Sequence, residues 1–242
     1  MIDFNPTAMT RDQAVKQLHL SIESLQRADE KRRTYVGASA IGGPCERRVQ
    51  YDFMGVDYDE GWRFSSRTIR IFERGHKFEA MAAIWLADAG FRLTQTGKDG
   101  KPLGFKVADG SFAGHVDRVI TAGPADLEYP LIWEHKALGA KSFKTIEKHG
   151  LAKAKPEYAD QIAIYQAYMN LTNPALFQAT CADTMDVYFE LVPFDKQRAQ
   201  AASDRAAAII ADTRAGALRP RCTDDAEFWA CKDCPFRKRC WG

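Results

Sequence analysis

The sequence predicts an α/β protein: a central mixed sheet flanked by helices, with a small helical subdomain assembled from both ends of the chain. Three observations predict it. Long stretches with apolar residues at helical spacing are interleaved with short runs that read as strands. With 242 residues and 45% hydrophobic content, the chain can bury one large core. Cysteines stand at opposite ends, Cys45 in "GGPCERR" and Cys231, Cys234 and Cys240 in a C-x2-C-x5-C tail.

The elements follow in order. Residues 10–33 space Ala14, Leu18, Ile22 and Leu25 as one face of an amphipathic helix. The glycines and proline of "GASAIGGPC" break that pattern, and a second helix starts near Cys45. "RTIRIFERGHKFEAMAAIWLADAG" predicts a helix over 67–89, with Gly90 as its C-terminal stop. Strands come next in "FRLTQTG", "LGFKVADG", "FAGHVDRVI" and "LIWEHKAL", separated by Gly, Asp and Pro turns. A basic segment, "KSFKTIEKHGLAKAK", leads to the helix "PEYADQIAIYQAYMNL", the strand "MDVYFELVPF" and an alanine-rich helix over 195–214. The expected organisation is an N-terminal helical segment (1–36), a subdomain from 37–66 and 215–242, and a core from 67–214.

Composition narrows the function. Thirty-four Lys and Arg against 32 Asp and Glu leave a net charge of +2, so clusters such as "CERRVQY" and "FRKRCW" matter more than the total. No apolar run is long enough to span a membrane, no secretory signal is evident, and a cytoplasmic setting is expected. Six cysteines without a signal peptide argue against a disulfide framework. There is no G-x-x-x-x-G-K-[ST], which excludes a nucleotide-driven motor within the chain.

The strand "LIWEHKAL" carries the chemistry. Alternation puts Glu134 and Lys136 on one face, and Trp133, His135 and Ala137 on the other. The bland reading is an exposed ion pair on a solvated sheet. Asp117, in the preceding strand, comes alongside if residues 121–130 form a short link, and Glu79 projects from the helix over 67–89. Three carboxylates suit Mg²⁺ or Mn²⁺, which bind phosphate oxygens directly. Lys136 beside such an ion could orient a water and offset charge on a phosphoryl group. Phosphodiester hydrolysis is the chemistry that combination fits.

The order of four stretches, "GHKFE" (75–79), "GHVD" (114–117), "EHK" (134–136) and "QIAIY" (161–165), resembles the PD-(D/E)XK nuclease superfamily, and within it the RecB-like branch. That resemblance implies a restriction-endonuclease-like core with Asp117, Glu134 and Lys136 as catalytic residues. It implies metal ligation by Asp117, Glu134 and Glu79, with His76 the alternative to Glu79, because many RecB-like members carry a His there. It also implies that Gln161 and Tyr165 face bound DNA; a tyrosine on an amphipathic helix is otherwise commonly core.

Cys45, Cys231, Cys234 and Cys240 supply four thiolates, enough for a [4Fe–4S] cluster or a structural zinc. One remote Cys with three bunched ones leans towards iron and is similar to the iron–sulfur nucleases of that branch, the AddB-type subunits and CRISPR-associated exonucleases. Cys222 is the rival ligand, and Cys181 is expected to pack as a small apolar residue. Arg47, Arg48, Arg237, Lys238 and Arg239 flank these cysteines as candidate phosphate contacts, or as a solvated basic rim.

The resulting expectation is a metal-dependent DNA nuclease, an exonuclease acting on single strands or frayed ends. Its setting would be phage replication or recombination, repair, or CRISPR spacer processing, with a protein partner in a recombination or CRISPR complex and no membrane. The alternatives are an endonuclease of the same superfamily and a non-catalytic nucleic-acid-binding module with a structural zinc. An iron–sulfur electron carrier would leave Asp117, Glu134 and Lys136 unexplained.

Overall fold

A computed structural model of the chain describes residues 10–24, 33–124 and 126–242. The first helix, α1 (Arg11–Glu23), opens with a capping box in which Thr10 accepts from the Gln13 backbone while Gln13 reaches back. It is shorter than the predicted span: Ser24 closes it, and Leu25 lies outside the described residues. Its large apolar residues Val15, Leu18, Leu20 and Ile22 are exposed. Glu23 is tied to Arg70 at 3.1 Å.

Beyond it come β1 (Val36–Gly37), α2 (Ala38–Ile41) and α3 (Glu46–Phe53). The long helix α4 (Ser66–Asp88) starts at Ser65, whose hydroxyl accepts from the Thr68 backbone, and stops before Gly90 at φ +90°. Strands β2 (Arg92–Thr94), β3 (Gly104–Val107), β4 (Phe112–His115), β5 (Arg118–Ala122) and β6 (Leu131–Leu138) follow. The second half holds α5 (Ala140–His149), α6 (Leu151–Ala154), α7 (Pro156–Tyr168), β7 (Ala175–Cys181), β8 (Val187–Val192), α8 (Lys196–Arg214), α9 (Trp229–Lys232) and α10 (Arg237–Trp241).

Two sheets result. The larger is ordered β2-β5-β6-β7-β8, antiparallel except for the parallel pair β6–β7; the smaller is β1-β4-β3. This is the α/β class with mixed sheets flanked by helices. "FAGHVDRVI" departs from the single strand predicted for it. It divides into β4 and β5, which belong to different sheets, and Val116 and Asp117 make the passage between them.

β6 separates two cores. Leu131 and Trp133 pack with Ala82, Ala83 and Leu86 of α4, whereas Ile132 and Leu138 join the larger core with Phe143, Ile162 and Ile209 from α5, α7 and α8. The α7 side of the sheet is therefore the side on which Glu134 and Lys136 project. Strand β7, absent from the predicted elements, is buried along its whole length beside β6. Its polar residues are paired: Gln178 Oε1 accepts from Trp133 Nε1 at 3.0 Å, and Thr180 Oγ1 lies 3.0 Å from His135 Nε2. The C-terminal segment returns to α3 and to the residues that follow it. Gln50, fully buried, receives the Arg219 backbone N–H at 2.8 Å and donates to the Ala217 carbonyl at 2.7 Å; Asp59 accepts backbone N–H groups from Lys238 and Arg239.

Candidate active site

The antiparallel pairing of β5 with β6 sets Arg118 opposite Trp133. Asp117, one residue before β5, consequently reaches the end of the ladder, where its Oδ2 accepts the His135 backbone N–H at 2.9 Å. That bond aims the carboxylate at the strand bearing Glu134. Glu134 is fully buried, and its Oε1 accepts from both the Lys136 ammonium and Gln161 Nε2, the latter at 2.9 Å. Its Oε2 is buried with no hydrogen-bond partner.

The site is electrostatically frustrated. Burial pushes the Glu134 carboxyl well above the usual range and the Asp117 charge adds to it, against the pull of Lys136. Burial works against the Lys136 ammonium, but the Glu134 and Asp117 charges outweigh it and hold the lysine above its ordinary pKa. The two members of the ion pair thus point in opposite directions, Glu134 towards neutrality and Lys136 towards charge. The reason is that Asp117 and Glu134 share one cation. Glu79, half-buried on α4, completes the crowding: burial and then Asp117 raise its pKa to about 6. His135, on the opposite face, is pushed down to about 4 by burial and then by Lys136, so it stays neutral beside Thr180.

Three carboxylates with one ammonium, one carboxylate oxygen unpartnered, form a donor set of hard oxygens short of positive charge. A divalent cation such as Mg²⁺ or Mn²⁺ fits that chemistry. As the side chains stand, no group of three or more His, Cys, Asp or Glu among the described residues is closed around a metal position. His76 is exposed on α4, and Glu79 is the residue of that pair whose charge is felt at Asp117 and Lys136.

Gln161 and Tyr165, which the family resemblance sets against bound DNA, are buried, 6% and 2% exposed. Gln161 Nε2 bridges Glu134 and the Tyr165 hydroxyl, 3.3 Å away, and the Tyr165 ring packs among Phe105, Gly114 and Ala38. Their position is that of supports for Glu134, one helical turn apart on α7.

Away from these carboxylates, five cysteines line one cavity of about 20 Å³: Cys45, Cys222, Cys231, Cys234 and Cys240. Cys222, the residue ranked as a rival ligand, is inside the group. Its thiol is pushed up to about 12 by burial and by hydrogen bonds with Cys45 and Cys231. Cys240 Sγ accepts instead from Arg47, 3.8 Å away. The soft donors suit zinc or iron, and as the side chains stand they form no closed metal position among the described residues. Cys181 lies in β7 within the main core.

The flanking cations divide. Arg47 is engaged inside the subdomain, its Nε donating to the Arg219 carbonyl at 2.6 Å. Arg237 pairs with Glu227, and Lys238 Nζ reaches the Glu60 carbonyl. Arg48 lines both the thiol cavity and a larger groove next to it.

Order of elements, paired strands and the acidic cluster at the β5–β6 end can be set against known proteins. The family model of the PD-(D/E)XK nuclease superfamily matches residues 16–241. The chain belongs to the PD-(D/E)XK nuclease superfamily. No curated protein matches it. Among solved structures, this PD-(D/E)XK chain is similar to an alkaline exonuclease, LHK-Exo, from Laribacter hongkongensis, with a TM-score of 0.53 and 16% identity over 76% of this chain and 90% of that one. The LHK-Exo complex with dAMP gives a TM-score of 0.51 at the same identity and coverage. At 16% identity the likeness concerns the fold.

The sequence motifs located the acidic cluster but not the depth at which Gln161 and Tyr165 sit, nor the share Cys222 takes in the thiol group. The first depends on how α7 packs on β6. For Cys222, a signal existed: it follows "ALRPR", and Arg219 in that segment is held by Glu46 of α3, the helix that follows Cys45.

Proposed function

We propose that the chain is a metal-dependent deoxyribonuclease, acting as an exonuclease on single-stranded or frayed DNA ends, with Asp117, Glu134 and Lys136 catalytic and Glu79 a further ligand. The observation that carries this reading is the buried Glu134 carboxylate, shared between Lys136 and Gln161 at one oxygen and unpartnered at the other, beside Asp117. Membership of a nuclease superfamily supports it, and the fold likeness to an alkaline exonuclease favours the exonuclease form.

When bound, the divalent cation supplies charge for the phosphate oxygens and a more acidic water. The chain's own residues do the rest. Asp117, fixed by the His135 backbone N–H, Glu134 and Glu79 would hold the cation. Lys136, held charged by the two carboxylates in the metal-free chain, would act as a positive charge beside the cation. From there it orients the attacking water and offsets the charge that grows on the phosphoryl oxygens as the P–O3′ bond breaks. Gln161 keeps Glu134 aimed at the metal, with Tyr165 as its support.

For the cysteine cavity we propose a structural metal that joins the two chain ends, a [4Fe–4S] cluster as the cysteine spacing suggests. Hydrolysis needs no electron from it. A single zinc is the second reading, favoured by the hydrogen bonds that hold Cys222 against Cys45 and Cys231. Iron and zinc content of anaerobically prepared protein separates them.

Exonuclease and endonuclease action separate on substrate topology. With Mg²⁺ or Mn²⁺, end-labelled linear single strands should be digested while covalently closed circles of the same sequence survive. Equal cleavage of circles would overturn the exonuclease reading, and binding without metal-dependent cleavage would favour the non-catalytic module.

A further inference from the structure

A groove of about 1250 Å³ lies beside the thiol cavity, and the proposed hydrolysis makes no use of it. Part of its lining is a run of aromatic rings in mutual contact. Tyr58 to Trp62 is 4.7 Å between centroids, Trp62 to Phe64 4.8 Å, and Phe64 to Phe72 5.3 Å, all edge-on. From the C-terminal part of the chain, Trp229 lines the same groove.

An ordinary hydrophobic cluster would bury these rings. Phe236, which packs against Tyr58, is indeed fully buried, yet Phe72 is 40% and Trp229 67% exposed, and Trp62 and Phe64 are only partly buried. Large aromatics left open in a concave surface mark a binding site. Arg33, Arg48 and Arg63 line it too, against the carboxylates of Asp52 and Glu157, which leaves an excess of positive charge. At Gly37 and Gly43 the lining is backbone without a side chain.

The groove also has a direction. Ile69 and Phe72 line it from α4, and Glu79 lies seven residues beyond Phe72 on the same helix. Two turns return a side chain to nearly the same face, about 10 Å further along. The helix face that borders the groove therefore continues into the acidic cluster. Ten ångströms is the length of about three stacked nucleotides.

We propose that this groove is a track for single-stranded DNA, in which unpaired bases stack on Phe72, Trp62, Phe64 and Trp229 while phosphates meet Arg33, Arg48 and Arg63. Stacking on open aromatic faces requires bases free of a partner strand, so duplex cannot use the track. Every base has a π-face, so the track is indifferent to sequence. Only its destination rests on the nuclease reading: the strand is led along α4 to Glu79 and Asp117.

The test is binding in chelator, where no cleavage occurs, by anisotropy of a labelled twenty-residue oligothymidine and of a blunt hairpin duplex. Trp229→Ala and Phe72→Ala should each weaken single-strand binding roughly fivefold to a hundredfold and leave duplex binding unchanged. Trp229→Phe should restore most of the affinity, which a merely structural role at an exposed position would not require. For three phosphate contacts, log affinity should fall with log salt at a slope of about −2. Unchanged single-strand affinity in both alanine variants, or a parallel loss on the duplex, would overturn the track. With Mg²⁺ present, Trp229→Ala should raise KM for long single strands with kcat retained. Failure of the nuclease reading would appear separately, as no metal-dependent cleavage by the wild-type chain.

Discussion

At the scale of single residues, the acidic cluster is a set of charges that destabilise one another until a cation arrives. Glu79 tests this through pH. Its pKa in the folded, metal-free protein is raised to about 6, from 4.5 in an unfolded chain. Its contribution is therefore fully present below pH 4.5 and is lost as the pH rises through about 6. Glu79→Gln cannot ionise, so in chelator it should match wild type near pH 4.5 and melt higher at pH 8. Added Mg²⁺ should reverse that order, because only the carboxylate binds it well. Thermal melts at both pH values, with and without metal, check the sign. Gln161→Ala should leave Glu134 without one of its two anchors and cost about 1–3 kcal/mol, the range for an orphaned buried hydrogen-bonding group. It should weaken metal binding as well, whereas DNA affinity in chelator stays near wild type. Titration calorimetry with Mn²⁺ reads the first and anisotropy the second.

Sheet and helix placement decide which of these residues could be read in advance. Glu134, Lys136 and Asp117 were legible because period-two alternation and a short link between β5 and β6 are local facts. β7 was not. "ALFQATC" is buried on both faces, so it shows no alternation, and a short apolar run of that kind cannot be told from a helix segment by period alone. The division of "FAGHVDRVI" between two sheets escaped for a related reason. Residues Val116 and Asp117 continue an apparently regular pattern while the chain changes partners. Close packing at that junction is strict. A Cβ at Gly114 would stand 2.7 Å from both the Ala38 Cβ and the Tyr165 ring, so β4, α2 and α7 meet there at van der Waals limits. Gly114→Ala should lower thermal stability by about 1–3 kcal/mol of overpacking and, by displacing Tyr165 from Gln161, slow cleavage too. Denaturant melts paired with single-turnover rates measure both. The inward turn of Gln161 towards Glu134 is a tertiary fact of how α7 lies on β6, and no local pattern announces it.

On the scale of the whole molecule, the C-terminal segment is fastened back onto α3 and the segment that follows it. Arg219 bonds Glu46 and Asp212, Asp59 receives the backbone of the C-terminal tail, and the five thiols gather at that seam. A metal held there closes nearly the entire chain into a loop, so its removal should lower stability more than it alters chemistry. Cys222→Ser and Cys240→Ser should differ: the first interrupts hydrogen bonds to Cys45 and Cys231, the second the contact with Arg47. Metal content and melting temperature of the two variants rank the thiols as ligands, and metal retained in full by both would remove Cys222 and Cys240 from the ligand set. The central claim concerns the acidic cluster and is tested by one comparison: hydrolysis of end-labelled single-stranded DNA by wild type and Lys136→Ala, each with Mg²⁺, Mn²⁺ or chelator. Wild type should digest the strand only with metal. The variant should be slower by about a hundredfold to a thousandfold, the range for removing one preorganised transition-state donor, while binding the strand as wild type does. A wild-type chain inert with both metals, or a Lys136→Ala variant that cleaves at the wild-type rate, would contradict the account.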